Sequence, residues 1–202
     1  MNSRARLLVA TSVLLATAPA LADSKFGELA GRAQRLESLG PFLERYIGSC
    51  TDPFTRDDCQ RNVRAARRSV DGRLFAATIA ERTVELVRAE RTRAGWRFVV
   101  TPFIDGGGIA LTHGAPREDA LGRPRIGFLV LEGALPTGMD ESALEGALRT
   151  GRLELEVVFR PEGAWKLKRR GESGFYEGVK ARFVALRLVE TRSGAEIATR
   201  VY

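Results

Sequence analysis

In the first third of the chain, apolar positions recur every three or four residues; from Arg73 onward they recur every two. The change divides a helical front from a β-rich remainder. Phe26, Leu29, Ala33 and Leu36 form a helical stripe that Leu39 continues. Asp23 or Ser24 is its cap and Gly40-Pro41 its stop. Phe42-Leu43 and Tyr46-Ile47 add a further turn or two. A third helical segment opens on Asp57 and Asp58, where the positive end of the helix dipole favours carboxylates. It carries Arg61, Arg64, Arg67 and Arg68 toward its other end, buries Cys59, Val63, Ala66 and Val70, and stops at Asp71-Gly72.

Residues 74–80, 84–90 and 96–104 read as strands, and Trp96, Phe98 and Val100 alternate with Arg97, Val99 and Thr101. Asp105-Gly106-Gly107-Gly108 is a turn into a short return strand at 109–112. Residues 114–125 are a polar loop, and 126–131 an apolar run that suits a central strand. Met139-Asp140-Glu141 opens a short helix through Leu148, with Gly151 just past its end. Leu153, Leu155, Val157 and Phe159 then alternate with Glu154, Glu156 and Val158. Strands at 165–168, 179–190 and 196–202 complete the set, the last two joined by a hairpin connection at 190–194. Consecutive strands with short connections imply antiparallel pairing, because parallel pairs need long crossovers. The predicted fold class is α+β: an antiparallel β-sandwich or partly closed β-barrel of about eight strands, with an N-terminal disulfide-stapled helical element. The predicted organisation is a leader at 1–22, the helical element at 23–72 and a β-rich domain at 73–202. The helical element carries too little core to stand alone.

The leader rests on the first 22 residues, MNSRARLLVATSVLLATAPALA. Arg4 and Arg6 precede an apolar run, and Ala20-Leu21-Ala22 is the small-x-small pattern of a signal-peptidase site. The run is too short for a ~20-residue span and breaks at Pro19, and nothing downstream approaches a membrane span. Removal takes two arginines and no acid, so the formal charge of +7 falls to +5. Export, to the periplasm or beyond, changes how Cys50 and Cys59 are read. In an oxidising compartment, cysteines flanking TDPFTRDD are most economically one disulfide, closing a loop for roughly 2.5 kcal/mol. The C-x-x-C arrangement of redox-active pairs is absent.

Composition excludes several classes. With 44% hydrophobic and 28% charged residues the chain is not a disordered one. Two cysteines and one histidine cannot build a zinc site from several His/Cys ligands, and no cofactor or metal is expected. The glycine run at 105–108 lacks the Gly-Lys-Ser/Thr ending of a phosphate loop. Gly171-Glu172-Ser173-Gly174 has Phe175 where a nucleophile elbow needs glycine. His113 is the one conventional base, at the mouth of a loop with no serine or acid flagged beside it. Glu154/Glu156 share a strand face, which amphipathic alternation explains without glycosidase chemistry, and Asp57/Asp58 and Asp140/Glu141 are helix-start charges. Two basic clusters remain as a candidate anion-binding patch. One is Arg61, Arg64, Arg67 and Arg68; the other is Lys166, Lys168, Arg169 and Arg170, with Trp165 as an aromatic platform. Export and a modest net charge disfavour nucleic acid and leave anionic envelope components, or another envelope protein, as partners.

Residues 42–63, FLERYIGSCTDPFTRDDCQRNV, resemble a family of uncharacterised exported bacterial proteins of deltaproteobacterial type. Stretches at 149–165 and 178–198 are similar to that family's β-rich half. The resemblance implies an exported, disulfide-stapled α+β protein and no reaction. With no catalytic constellation and a full set of amphipathic strands, the expected function is a non-enzymatic periplasmic or envelope-associated binding or structural module. A carrier with an apolar or lipid ligand inside the β-domain is the second expectation, and a hydrolase using His113 the third.

Overall fold

The computed structural model describes residues 22–79, 87–101, 103–104, 109–120, 124–168 and 174–202. The first helix, α1 (Ala22–Arg32), ends sooner than the apolar stripe suggested. The chain then extends into β1 (Gln34–Arg35), which pairs in parallel with β2 (Phe75–Ile79). Gln34 and Leu36 donate their N–H groups to Leu74 and Ala76, each at 2.8 Å. Gly40-Pro41 is not a stop but the first turn of α2 (Leu39–Ile47). Proline is tolerated there because its missing N–H would have no helical acceptor. Gly48 ends α2 at φ 69°, and a Cβ there would collide with Val63 of α3 (Arg56–Val70). The stripe Cys59, Val63, Ala66 and Val70 does face inward, but only to half-burial. The Cys50–Cys59 disulfide closes the loop between α2 and α3.

The remaining strands are β3 (Val87–Thr92), β4 (Gly95–Val100), β5 (Phe103–Ile104), β6 (Ile109–His113), β7 (Arg117–Glu118), β8 (Pro124–Arg125), β9 (Leu129–Gly133), β10 (Leu153–Lys168), β11 (Phe175–Glu190) and β12 (Glu196–Val201). The helix α4 (Glu141–Arg149) precedes β10, with the Asp140 carboxylate accepting from the Ala143 N–H at 2.7 Å. Among the described residues, ten strands form one open sheet in the order β1-β2-β10-β11-β12-β9-β4-β3; β6 adds to β11, and β5 to β6. The strands β7 and β8 form a separate ribbon inside the segment read as a loop.

The α+β class and the stapled helical element are present, while the sheet is mixed and is not closed into a barrel. Two of its pairs are parallel, β1 with β2 and β6 with β11. Both are separated by long stretches of chain, which is what a parallel crossover requires and what a reading of consecutive strands overlooks. A single 16-residue strand, β10, replaces the two expected at 153–159 and 165–168. The register shifts at Glu162, and Pro161 lies beyond the end of β2, so its missing N–H breaks no ladder bond on that edge. The strand expected at 126–131 is shifted toward Gly133, leaving Phe128 63% exposed. Residues 1–21 of the leader, residues 84–86, the turn at 105–108, Arg169, Arg170 and residues 171–173 lie outside the described residues.

One face of the sheet holds the main core. Leu155, Val157 and Phe159 of β10 meet Phe183, Leu186 and Leu188 of β11, Phe98 of β4 and Leu131 of β9. Helix α2 adds Leu43, Tyr46 and Ile47, and α4 adds Leu144 and Ala147. The outer face carries α1, whose Phe26 packs on Val158 and Ala185. The alternation of strand side chains thus feeds two layers, with α2 and α4 on one side of the sheet and α1 on the other.

Candidate functional site

The two basic clusters meet at one groove. Arg64 and Arg67 from α3 and Lys166 from β10 line a depression of about 350 Å³ floored by Cys50 and Gly48. The disulfide determines this by tying the start of α3 to the end of α2. The three cations are not equivalent. Arg67 donates from Nε to the Tyr46 carbonyl at 2.6 Å and from Nη2 to the Ile47 carbonyl at 2.7 Å. It therefore caps the carbonyl end of α2, where a cation is favoured, and is a structural residue. Among the described residues Arg64 makes one bond, from Nε to the Gln60 carbonyl at 3.2 Å, and it stays exposed. Lys166 lies 4.4 Å from the centroid of the Phe175 ring and 3.3 Å from the Glu177 carboxylate.

The other described members of the predicted patch, Arg61, Arg68 and Lys168, lie elsewhere. Arg61 is paired with Asp58 on the exposed side of α3, and Arg68 and Lys168 are exposed away from the groove. Trp165 is not the aromatic platform. Successive strand residues face opposite ways, so its ring lies over Gly178 while Lys166 leans on Phe175. The Trp165 indole N–H donates to Thr112 Oγ1 at 3.0 Å, and the buried Thr112 hydroxyl donates to the Gly114 carbonyl at 2.8 Å. That chain ties β10 to β6 across β11. Gly178 permits it, because a Cβ there would collide with both Trp165 and the Ala110 carbonyl. Sequence reading missed Phe175 and Glu177 as the partners of Lys166, since both lie across the β10–β11 ladder.

A larger groove of about 480 Å³ opens between β1, α2 and α3. Tyr46 is at its base and donates its hydroxyl to the Asp71 carboxylate. Burial and that carboxylate push the phenol well above its usual range, so Tyr46 remains a neutral donor.

His113 is exposed at the end of β6, its ring centroid 5.9 Å from those of Phe183 and Tyr202. Among the described residues it makes no hydrogen bond to a serine, cysteine or acid. Glu156 is half-buried and bonded to Arg187 at 2.6 Å, and the Arg187 guanidinium lies over Phe26 at 4.5 Å. That face of β10 is thus covered by α1 as well as solvated, as helix-on-sheet packing requires. Phe98, Phe159 and Phe183 are packed in the core, Trp96 lies at its edge, and Phe128 is outside it. No group of three His, Cys, Asp or Glu able to hold a metal occurs among the described residues, and no described helix is long and apolar enough to cross a membrane.

Fold and groove together define an α+β protein with an open mixed sheet and a disulfide-stapled basic surface. A family model matches residues 4–201, and the chain belongs to that family, described as a family of unknown function (DUF6066). Membership bears out the resemblance to an uncharacterised family and carries neither a source nor an activity. Searches of curated proteins and of solved structures returned no match.

Proposed function

We propose that this protein is an exported, non-enzymatic binding module of the bacterial envelope, whose groove beside Cys50–Cys59 takes phosphate-bearing envelope components. The observation that carries the reading is the convergence of Arg64 and Lys166, from opposite halves of the chain, on one stapled groove. A guanidinium and an ammonium lining one groove complement the charge of a phosphate, and the guanidinium adds directional donors. Export is supported by Arg4 and Arg6 before the apolar run, by Ala20-Leu21-Ala22 and by the disulfide.

The test begins with the full chain expressed in a bacterium and recovered from the envelope fraction. Its mass is expected to correspond to a start at Asp23 with both thiols oxidised; cytosolic retention with free thiols would overturn the export reading. The purified protein is then sedimented with phosphatidylglycerol vesicles and with phosphatidylcholine vesicles, using inorganic polyphosphate as soluble competitor. Preference for the anionic vesicles, weakened by salt, is expected to drop about tenfold in Arg64→Glu/Lys166→Glu. Competition by polyphosphate assigns the site to phosphate in general, and its absence to the lipid surface. Equal binding to both vesicle types, or a double variant that binds like the parent, counts against the groove.

A further inference from the structure

We infer that the larger groove between β1, α2 and α3 is a second binding site, for a small carboxylate with a flat apolar body. Its floor is aromatic. Phe42 lies 4.9 Å from Phe75 and 6.0 Å from Tyr46, centroid to centroid, and Phe75 and Tyr46 are buried while Phe42 keeps part of its face open. The rim is cationic. Arg35 from β1 and Arg45 from α2 both border the groove, and neither makes a hydrogen bond or ion pair among the described residues. A single carboxylate, Glu37, shares the rim, so an incoming anion meets two guanidiniums against one acid. Gln34, Ser38 and Ser69 supply neutral hydrogen-bonding groups.

These features select among ligands. A volume of about 480 Å³ suits one small molecule rather than a polymer or a helix. Aromatic rings below and guanidiniums above favour a planar body with one anionic end, because the apolar part leaves water while the carboxylate gains charge-assisted bonds. A neutral analogue of the same shape keeps only the first gain. The site is separate from the groove beside the disulfide, with which it shares no lining residue.

Titration of the isotope-labelled full chain with naphthoate and with naphthamide, followed by amide NMR, tests this. Naphthoate is expected to shift the amides of Leu36, Ser38 and Ser69 and to bind at least about tenfold more tightly than naphthamide. Arg35→Ala/Arg45→Ala, both exposed and therefore compatible with folding, is expected to bring naphthoate down to the affinity of the amide. Arg64→Glu/Lys166→Glu is expected to leave naphthoate binding unchanged, which separates this site from the phosphate-binding one. Equal affinity for the two probes, no shift at the groove, or a double arginine variant that binds like the parent overturns the proposal.

Discussion

At the scale of single residues, the most deeply buried carboxylate among the described residues is Glu190, 5% exposed at the turn between β11 and β12. Its Oε2 accepts from the Ser193 hydroxyl at 2.7 Å and from the Ser193 and Arg192 N–H groups at 2.7 and 3.1 Å. Those bonds, led by the Ser193 hydroxyl and helped by Arg152 nearby, hold the carboxyl below the usual glutamate range despite its burial. The sign follows from linkage. The folded state binds this proton less readily than the unfolded chain, so the stabilisation is complete above the ordinary glutamate pKa and is lost as pH falls through the lower folded value. Glu190→Gln is therefore expected to cost about 1–2 kcal/mol at neutral pH and much less under strongly acidic conditions. Urea denaturation at a series of pH values checks it, and parallel stability curves for the two proteins would contradict it. The hairpin at 190–194 was legible from its residues, whereas the role of Glu190 was not, because it depends on a side chain turning back onto its own turn.

At the scale of elements, the α2–α3 pair is held by three devices: the Cys50–Cys59 bridge, the capping of α2 by Arg67, and the Tyr46–Asp71 hydrogen bond. No residue of α3 is fully buried, so little apolar burial secures this helix and the bridge carries a large share of its attachment. Cys50→Ser/Cys59→Ser is expected to lower stability by roughly 2.5 kcal/mol, a fall in Tm of about 5–10 °C. Hydrogen exchange should accelerate first along α3 while β10 and β11 stay protected. Uniform acceleration through the sheet, or an unchanged Tm, would argue against this division. Both the bridge and α3 follow from local features, namely the spacing of two cysteines and a capped, periodic helix. The early end of α1 was not legible, since Leu36 continues the helical stripe and only pairing of its neighbours with β2 draws the chain out straight.

At the scale of the whole molecule, the helical front and the β-rich remainder share a core. Leu43, Tyr46 and Ile47 of α2 are buried with Phe75, Phe159 and Leu155, and β1 extends the sheet. Each of those α2 side chains stabilises the fold by roughly 1.5–3 kcal/mol of burial, against a typical total stability of about 5–15 kcal/mol. A chain beginning at residue 73 is therefore expected to lack a cooperative thermal transition and to bind hydrophobic dyes. A sharp transition in that fragment would show that the sheet folds without its N-terminal cover.

Periodicity, caps and cysteine spacing are local properties. By themselves they determined the α+β class, three of the four described helices in outline, the amphipathic β10 and β11, the β11–β12 hairpin and the disulfide. Tertiary structure alone decided which strands became neighbours, the two parallel pairs, the continuity of β10 through Pro161, and the passage of Trp165 over Gly178 to Thr112. It also decided which charges of the two basic clusters share a groove and which are spent on backbone carbonyls. The reason is physical: a strand's partner and a charged side chain's surroundings are set by groups far away in sequence, whose contribution exists only once the chain has closed on itself.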